Sequence, residues 1–162
     1  MNNELKDSDR EELGQMLTLL LTDEYVLYAT TWDYCWNVRG PADGALHEQL
    51  EGQYEQIARS LRDLANRART LGTGVRGHWV DLTKAARSSP IPGLAFPIVH
   101  MLTELLALHD GMVAQLHLDR AACIQRFADF GTAGFLETLI KQHEQMAVFL
   151  RAQLGSRVEK VS

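Results

Sequence analysis

The sequence predicts an all-α protein, a bundle of four long helices. Apolar residues recur at three- and four-residue steps through four long stretches, which is the period of a helix with one buried face. Only four prolines and few β-branched residues occur in 162 residues, which favours helix over strand. Apolar residues make up 46% and charged residues 23%, as in a folded globular protein. The chain, 1–162, is therefore expected to form a single domain.

Glycine and proline mark the ends of the first two helices. The first is predicted over about 9–38 and stops at Arg39-Gly40-Pro41, since both glycine and proline disfavour continuation. The second, over about 43–71, has the most regular apolar pattern, with steps of 4, 4, 3, 4, 3, 4 and 3 between Leu46 and Leu71. It is expected to end at Gly72.

A long connection separates the second and third helices. Residues 72–93 are rich in glycine, serine and proline, and 78–87 within them could form a short extra helix. The third helix is predicted over about 94–127 and the fourth over about 132–154. Up-and-down bundles use short loops throughout, whereas a single long crossover in the middle is typical of a ferritin-like bundle. Residues 1–8 and 156–162 are expected to be tails.

Composition excludes several classes of protein. The net charge of −5 is opposite in sign to that of a dedicated nucleic-acid binder. Two cysteines are too few for a disulfide framework, which favours a reducing, cytoplasmic location. The polar, acidic start is unlike a signal peptide, and no apolar run is long enough to span a membrane.

Polar residues line one side of the second helix. At 100° per residue, His47, Glu51, Arg62 and Asn66 fall within an arc of roughly 100°. A histidine and a carboxylate four residues apart can share a metal ion, although solvated or interface-edge polar residues give the same pattern. His47 and Asn66 lie roughly 28 Å apart along the helix, so only a two-fold dimer could bring the two ends together.

Four segments together resemble a known family. They are Cys35-Trp36-Asn37-Val38-Arg39-Gly40, Leu46-His47-Glu48, the run Asn66 to Gly72, and a late segment with Gly131 to Leu136, His143 to Ala147 and Leu150 to Ala152. In this order they resemble the DNA-protection-during-starvation (Dps) family of the ferritin superfamily, over about residues 13–154. The resemblance implies a hollow dodecameric cage, assembled from two-fold dimers, that oxidises ferrous iron, stores ferric iron and protects against oxidative stress.

The resemblance also implies a metal site shared across the two-fold interface. Carried over position by position, the family's ligands fall on Cys35, His47, Glu51, Arg62 and Asn66, with Trp36 beside the site. Of these five only His47 and Glu51 keep the family's residue type. Enzymatic ferrous oxidation is therefore expected to be weak or lost, and whether the chain is an enzyme is left open.

The departures suggest a different use of the site. A guanidinium at Arg62 matches the geometry of a carboxylate, so Arg62 of one subunit is expected to pair with Glu51 of the other in place of the metal. The protein would then be a structural or interaction protein without iron chemistry. Cys35 could act as a soft ligand that favours zinc with His47, or it could be a small buried filler beside Trp36.

The remaining candidates carry weaker signals. By the resemblance, Asp129 and Glu137 could line a pore for cations. His100, His109 and His143 are interpreted as surface or interface residues, because the second and fourth helices lack the Glu-x-x-His pair of an intra-bundle di-iron centre. Core packing is the default interpretation of Trp32 and Trp36. The tails are not basic, so DNA binding is not expected.

Overall fold

Four helices make up the part of the chain that the computed structural model describes, residues 5–38, 43–75 and 97–159. They are α1 (Asp7–Asn37), α2 (Gly44–Thr70), α3 (Ile98–Gln125) and α4 (Phe130–Glu159). This confirms the predicted all-α four-helix bundle. The short extra helix predicted at 78–87 lies outside the described residues.

The helix ends follow from local chemistry. After α2, Gly72 adopts a φ of 81°, and the Thr73 N–H donates to the carbonyl oxygen of Ala68 over 3.2 Å. This left-handed stop is the one predicted at Gly72. At the start of α4, the Asp129 carboxylate accepts from the Thr132 N–H over 3.0 Å, which is an N-cap. α4 therefore begins two residues before the predicted position, and it extends to Glu159, into the segment expected to be a tail.

The helices pack as two pairs. α1 lies mainly against α2, and α3 mainly against α4. Contacts between α1 and α3 join the pairs, whereas α2 and α4 meet only sparsely. The short connections within each pair, 38–43 and 126–129, make the paired helices antiparallel.

The core consists of two apolar clusters, one toward each end of the bundle. One includes Leu17, Leu64, Leu116 and Leu136, and the other includes Leu27, Ile57, Leu105 and Leu150. Between them lies a layer of buried polar side chains, one from each helix. These are Glu24 from α1, Ser60 from α2, His109 from α3 and His143 from α4.

Two sequence interpretations need correction. Trp32 and Trp36, interpreted as core residues, are 47% and 58% exposed in the single chain, because they lie on the outer side of α1. His109 and His143, interpreted as surface or interface residues, are fully buried, because both sit in the apolar rows of their helices. His100 is exposed, as expected. None of the described helices is long and apolar enough to cross a membrane.

Candidate functional site

The candidate site begins where the end of α1 faces the first turn of α2. His47 Nδ1 lies 2.9 Å from the main-chain carbonyl oxygen of Cys35. A carbonyl oxygen only accepts, so Nδ1 carries the hydrogen in this contact and donates it. The neutral ring then has its free lone pair on Nε2, which is the arrangement of a histidine prepared to bind a cation.

Glu51 lies one helical turn after His47, as the sequence predicts, on the same side of α2. The Tyr54 hydroxyl donates to Glu51 Oε1 over 3.4 Å. Burial, and then the nearby Glu51 charge, raise the pKa of Tyr54, so this hydroxyl remains protonated and a donor at neutral pH. Tyr54 was not predicted as part of the site, because in the sequence it is a member of the apolar row of α2.

Cys35 fits a structural role better than a ligand role. Its side chain is 1% exposed, and its thiol donates to the His47 carbonyl oxygen over 3.5 Å. Burial, followed by the Glu51 charge, raises the pKa of the thiol, which disfavours the thiolate that binds metals. Cys35 Sγ lies 3.6 Å from His47 Nδ1 and 4.0 Å from Nε2, and the nearer nitrogen, Nδ1, already donates to the Cys35 carbonyl oxygen.

Trp36 adjoins the site, as the sequence predicts. Its ring meets the His47 ring edge to face, with centroids 6.0 Å apart and planes at 83°. Trp32 follows along the same surface of α1, 6.2 Å from Trp36. The two indoles therefore form an exposed apolar wall beside His47.

Arg62 and Asn66 lie elsewhere on the single chain. Both are exposed on the second half of α2. At 1.5 Å per residue, Arg62 stands about 22 Å along the helix axis from His47. Arg62 makes no ion pair with another described side chain. One subunit therefore brings His47 and Glu51 together with Cys35, and it keeps the other two positions apart.

The described residues do not complete a metal site. Across 5–38, 43–75 and 97–159, no three His, Cys, Asp or Glu side chains converge on a point that could hold a metal ion. His47 Nε2 and Glu51 suit ferrous iron, which takes imidazole and carboxylate ligands. Within one subunit, the described residues therefore bring together two donors that iron takes, His47 and Glu51.

The two residues suggested for a pore are already engaged. Asp129 is fully buried. The Arg67 guanidinium donates one hydrogen bond to the Asp129 carboxylate and another to the Thr132 hydroxyl oxygen. Burial would raise the pKa of Asp129, but the hydrogen bonds from Thr132 and the charge of Arg67 outweigh it and lower the pKa. Glu137 is partly exposed and pairs with Arg120 at 2.8 Å. Of the two, only Glu137 presents a carboxylate to solvent.

A second polar cluster, not predicted from the sequence, lies inside the bundle. His109 Nδ1 and His143 Nδ1 are 3.0 Å apart, and His143 Nε2 is 3.1 Å from Glu24 Oε2. Each of the three occupies a place in a helical apolar row that leucine or methionine fills on either side. A polar residue within an apolar row could have been noticed in the sequence of each helix. The row of one helix does not show, however, that the three side chains contact each other.

Comparison with known proteins identifies the family. Residues 15–158 match the family model of the ferritin-like domain. An uncharacterized low temperature-induced protein of Nostoc sp. is 32% identical over 154 residues, which cover 94% of this chain and 85% of the relative. The DNA protection during starvation protein 2 of Deinococcus radiodurans is 27% identical over 147 residues, covering 88% of this chain and 60% of that protein.

Solved structures agree with this assignment. DpsC from Streptomyces coelicolor superposes with a TM-score of 0.88 at 24% identity, over 95% of this chain and 90% of that chain. Dps from Thermosynechococcus elongatus superposes with a TM-score of 0.84 at 25% identity, over 89% of this chain and 90% of that chain. Family model, relatives and fold coincide over nearly the whole described sequence. The chain belongs to the Dps family of the ferritin superfamily.

Proposed function

We propose that this protein is a Dps-type cage protein that sequesters iron and protects against oxidative stress, with a degenerate site between subunits. Ferrous oxidation at that site is weak or lost. The observation that supports the proposal is the contact of His47 Nδ1 with the Cys35 carbonyl oxygen, which leaves Nε2 free one turn before Glu51. The resemblance places the remaining ligand positions on Arg62 and Asn66, which are not acids. Iron is the cargo of the assembly, and no oxidation step is assigned to these residues.

The charge at the shared site supports this conclusion. With Arg62 of a second subunit beside Glu51, the two side chains neutralise each other, and a divalent cation gains little from binding there. Arginine and a carboxylate form two parallel hydrogen bonds in such a pair, which also holds the subunits together. Arg62 is exposed and forms no ion pair with another described residue, so it is available for a partner subunit.

A second candidate function follows from the same contact. If the Arg62–Glu51 pair has replaced the metal altogether, the assembly is a structural or interaction protein without iron chemistry. Zinc bound by Cys35 and His47 is a further alternative. It is less favoured, because burial raises the pKa of the Cys35 thiol and the ring nitrogen nearest to Sγ, His47 Nδ1, donates to the Cys35 carbonyl oxygen.

The proposed partner is the chain itself. Dodecamers built from two-fold dimers would place the exposed wall of Trp32 and Trp36 near the subunit interface. DNA is not a proposed partner, because residues 1–12 carry five acidic and two basic side chains. A cytoplasmic location is proposed from the absence of a disulfide framework in the sequence.

Anaerobic titration of the assembled protein with ferrous iron tests the proposal. We expect no tight stoichiometric binding at the shared site and slow oxidation by peroxide. In the double variant Arg62→Asp, Asn66→Glu, both should increase at least tenfold, because two carboxylates are returned to the site. Arg69→Asp changes the same charge on an exposed position of α2 that is not a ligand position, and it should have no effect.

The outcomes separate the candidates. Tight ferrous binding and rapid oxidation by the unaltered protein, abolished by His47→Ala, would contradict a degenerate site. Iron retention by the unaltered cage without fast oxidation supports the sequestering function. Failure to retain iron, together with rescue by the double variant, would favour the structural role.

A further inference from the structure

The buried polar layer at the middle of the bundle carries an inference that does not depend on the proposed function. Glu24, His109 and His143 are 1%, 0% and 1% exposed. They come from α1, α3 and α4, so one chain of contacts links the two helix pairs. Apolar clusters lie on both sides of this layer.

We propose that Glu24, His143 and His109 form an internal proton-binding site that joins α1, α3 and α4, and that acid opens the middle of the bundle when the second imidazole is protonated. The ligand of the site is the proton. Its occupancy decides whether the two facing rings attract or repel each other.

The geometry between the rings admits a single proton. At 3.0 Å the two Nδ1 atoms form a hydrogen bond, in which one nitrogen carries the hydrogen and the other offers its lone pair. If both rings were doubly protonated, two N–H groups would face each other at this distance. The contact would then become repulsive, and α3 and α4 would have to separate.

The two rings are not equivalent. Neither Nε2 atom has a hydrogen-bond partner among the described residues, but His143 Nε2 lies 3.1 Å from Glu24 Oε2, so a charge on His143 faces a carboxylate. No carboxylate is recorded against His109 among the described residues. Burial, and then the neighbouring His143, lower the pKa of His109 to about 3. Protonation of His109 is therefore the event that disrupts the site.

Other charged groups at this level face away or are paired. Asp110, next to His109, is exposed and pairs with Arg151 on the surface, and Glu144, next to His143, is also exposed. From α2, the polar side chain in the layer is neutral, since the Ser60 hydroxyl donates to Gln142 Oε1 over 3.1 Å. Among the described residues, the charged group recorded against the two rings is Glu24. Its neighbour Asp23 is also buried and has an interaction of its own.

Urea unfolding at fixed protein concentration and at a series of pH values tests the proposal. Because His109 stays neutral in the folded protein and charges in the unfolded chain, it should raise the unfolding constant about tenfold for each pH unit below 6.5. In His109→Asn the side-chain amide can donate to His143 Nδ1 or accept from it, but it does not titrate. Between pH 6 and 4, the unfolding constant of this variant should therefore rise less steeply than that of the unaltered protein, by about a factor of ten per pH unit.

His117→Asn is the matched control. His117 lies on α3 but is exposed, so its removal should leave the pH dependence unchanged. Equal pH dependence in the unaltered protein and in His109→Asn would overturn the proposal. If His109→Asn does not fold, NMR titration of labelled histidines in the unaltered protein decides. A His109 ring that stays neutral down to pH 4 supports the proposal, and one that titrates near 6.5 overturns it.

Discussion

A methyl group added at Gly14 gives a direct test of how the chain leaves α2. Gly14 is buried within α1, and the segment after Gly72 crosses it there. A Cβ at Gly14 would lie 1.7 Å from Thr73 Oγ1, 2.6 Å from its Cβ and 2.8 Å from its Cγ2. No rotation of Thr73 relieves a contact with its own Cβ, so the backbone after Gly72 must shift. That segment is held by the hydrogen bond from Thr73 N to Ala68 O.

Two effects of opposite sign then determine the stability of Gly14→Ala. Alanine is favoured over glycine inside a helix by about 1 kcal/mol. Overpacking of this severity costs about 3 kcal/mol, the upper end of the usual range. The expected net loss is about 2 kcal/mol, or a fall in Tm of about 4–8 °C for a chain of this size.

Thermal unfolding followed by circular dichroism measures this loss. Gly111→Ala is the control, because a Cβ at Gly111 in α3 meets nothing within 4 Å. It should stabilise the protein by up to about 1 kcal/mol. The double variant Gly14→Ala, Thr73→Gly should recover most of the loss. A Gly14→Ala protein as stable as Gly111→Ala would refute the described crossing.

Three further predictions concern the cap, the thiols and DNA. Asp129→Ala should cost about 1–3 kcal/mol in urea unfolding, because it leaves Arg67 and the Thr132 N–H without their acceptor; an unchanged midpoint would argue against the cap. Since the folded pKa of Asp129 is lowered, its contribution is complete above the ordinary aspartate pKa near 4 and is lost as the pH falls through the folded value. Cys35 and Cys123 should resist thiol reagents at pH 7 until the protein unfolds, because both are buried with raised pKa values, that of Cys123 to about 12; rapid labelling of the folded protein would contradict this. Gel-shift assays at physiological salt should show no retardation of plasmid DNA, and tight, salt-sensitive binding would count against the expectation drawn from the tails.

Much of the fold could be predicted because helical periodicity and glycine stops are local signals. The rows of apolar residues in α2 and the stop at Gly72 needed no tertiary information. The start of α4 was predicted two residues late, because the cap that Asp129 provides to the Thr132 N–H was not recognised in the sequence. The exposure of Trp32 was missed, since a wide apolar face does not show which part of it is covered.

The site was predictable only in part, for a related reason. The four-residue spacing of His47 and Glu51 follows from the helix, but the hydrogen bond that fixes the His47 tautomer comes from the end of α1. The meeting of Glu24, His109 and His143 requires three helices in register. Spacing within one helix cannot specify such a contact.

A crystal of the assembled protein grown with ferrous iron tests the central claim, the degenerate site between subunits, most directly. Anomalous scattering measured at the iron edge should give no peak between His47 and Glu51, and the guanidinium of Arg62 from the neighbouring subunit should lie within hydrogen-bond distance of the Glu51 carboxylate. An iron peak ligated by His47 Nε2 and Glu51, with Arg62 turned away, would contradict it.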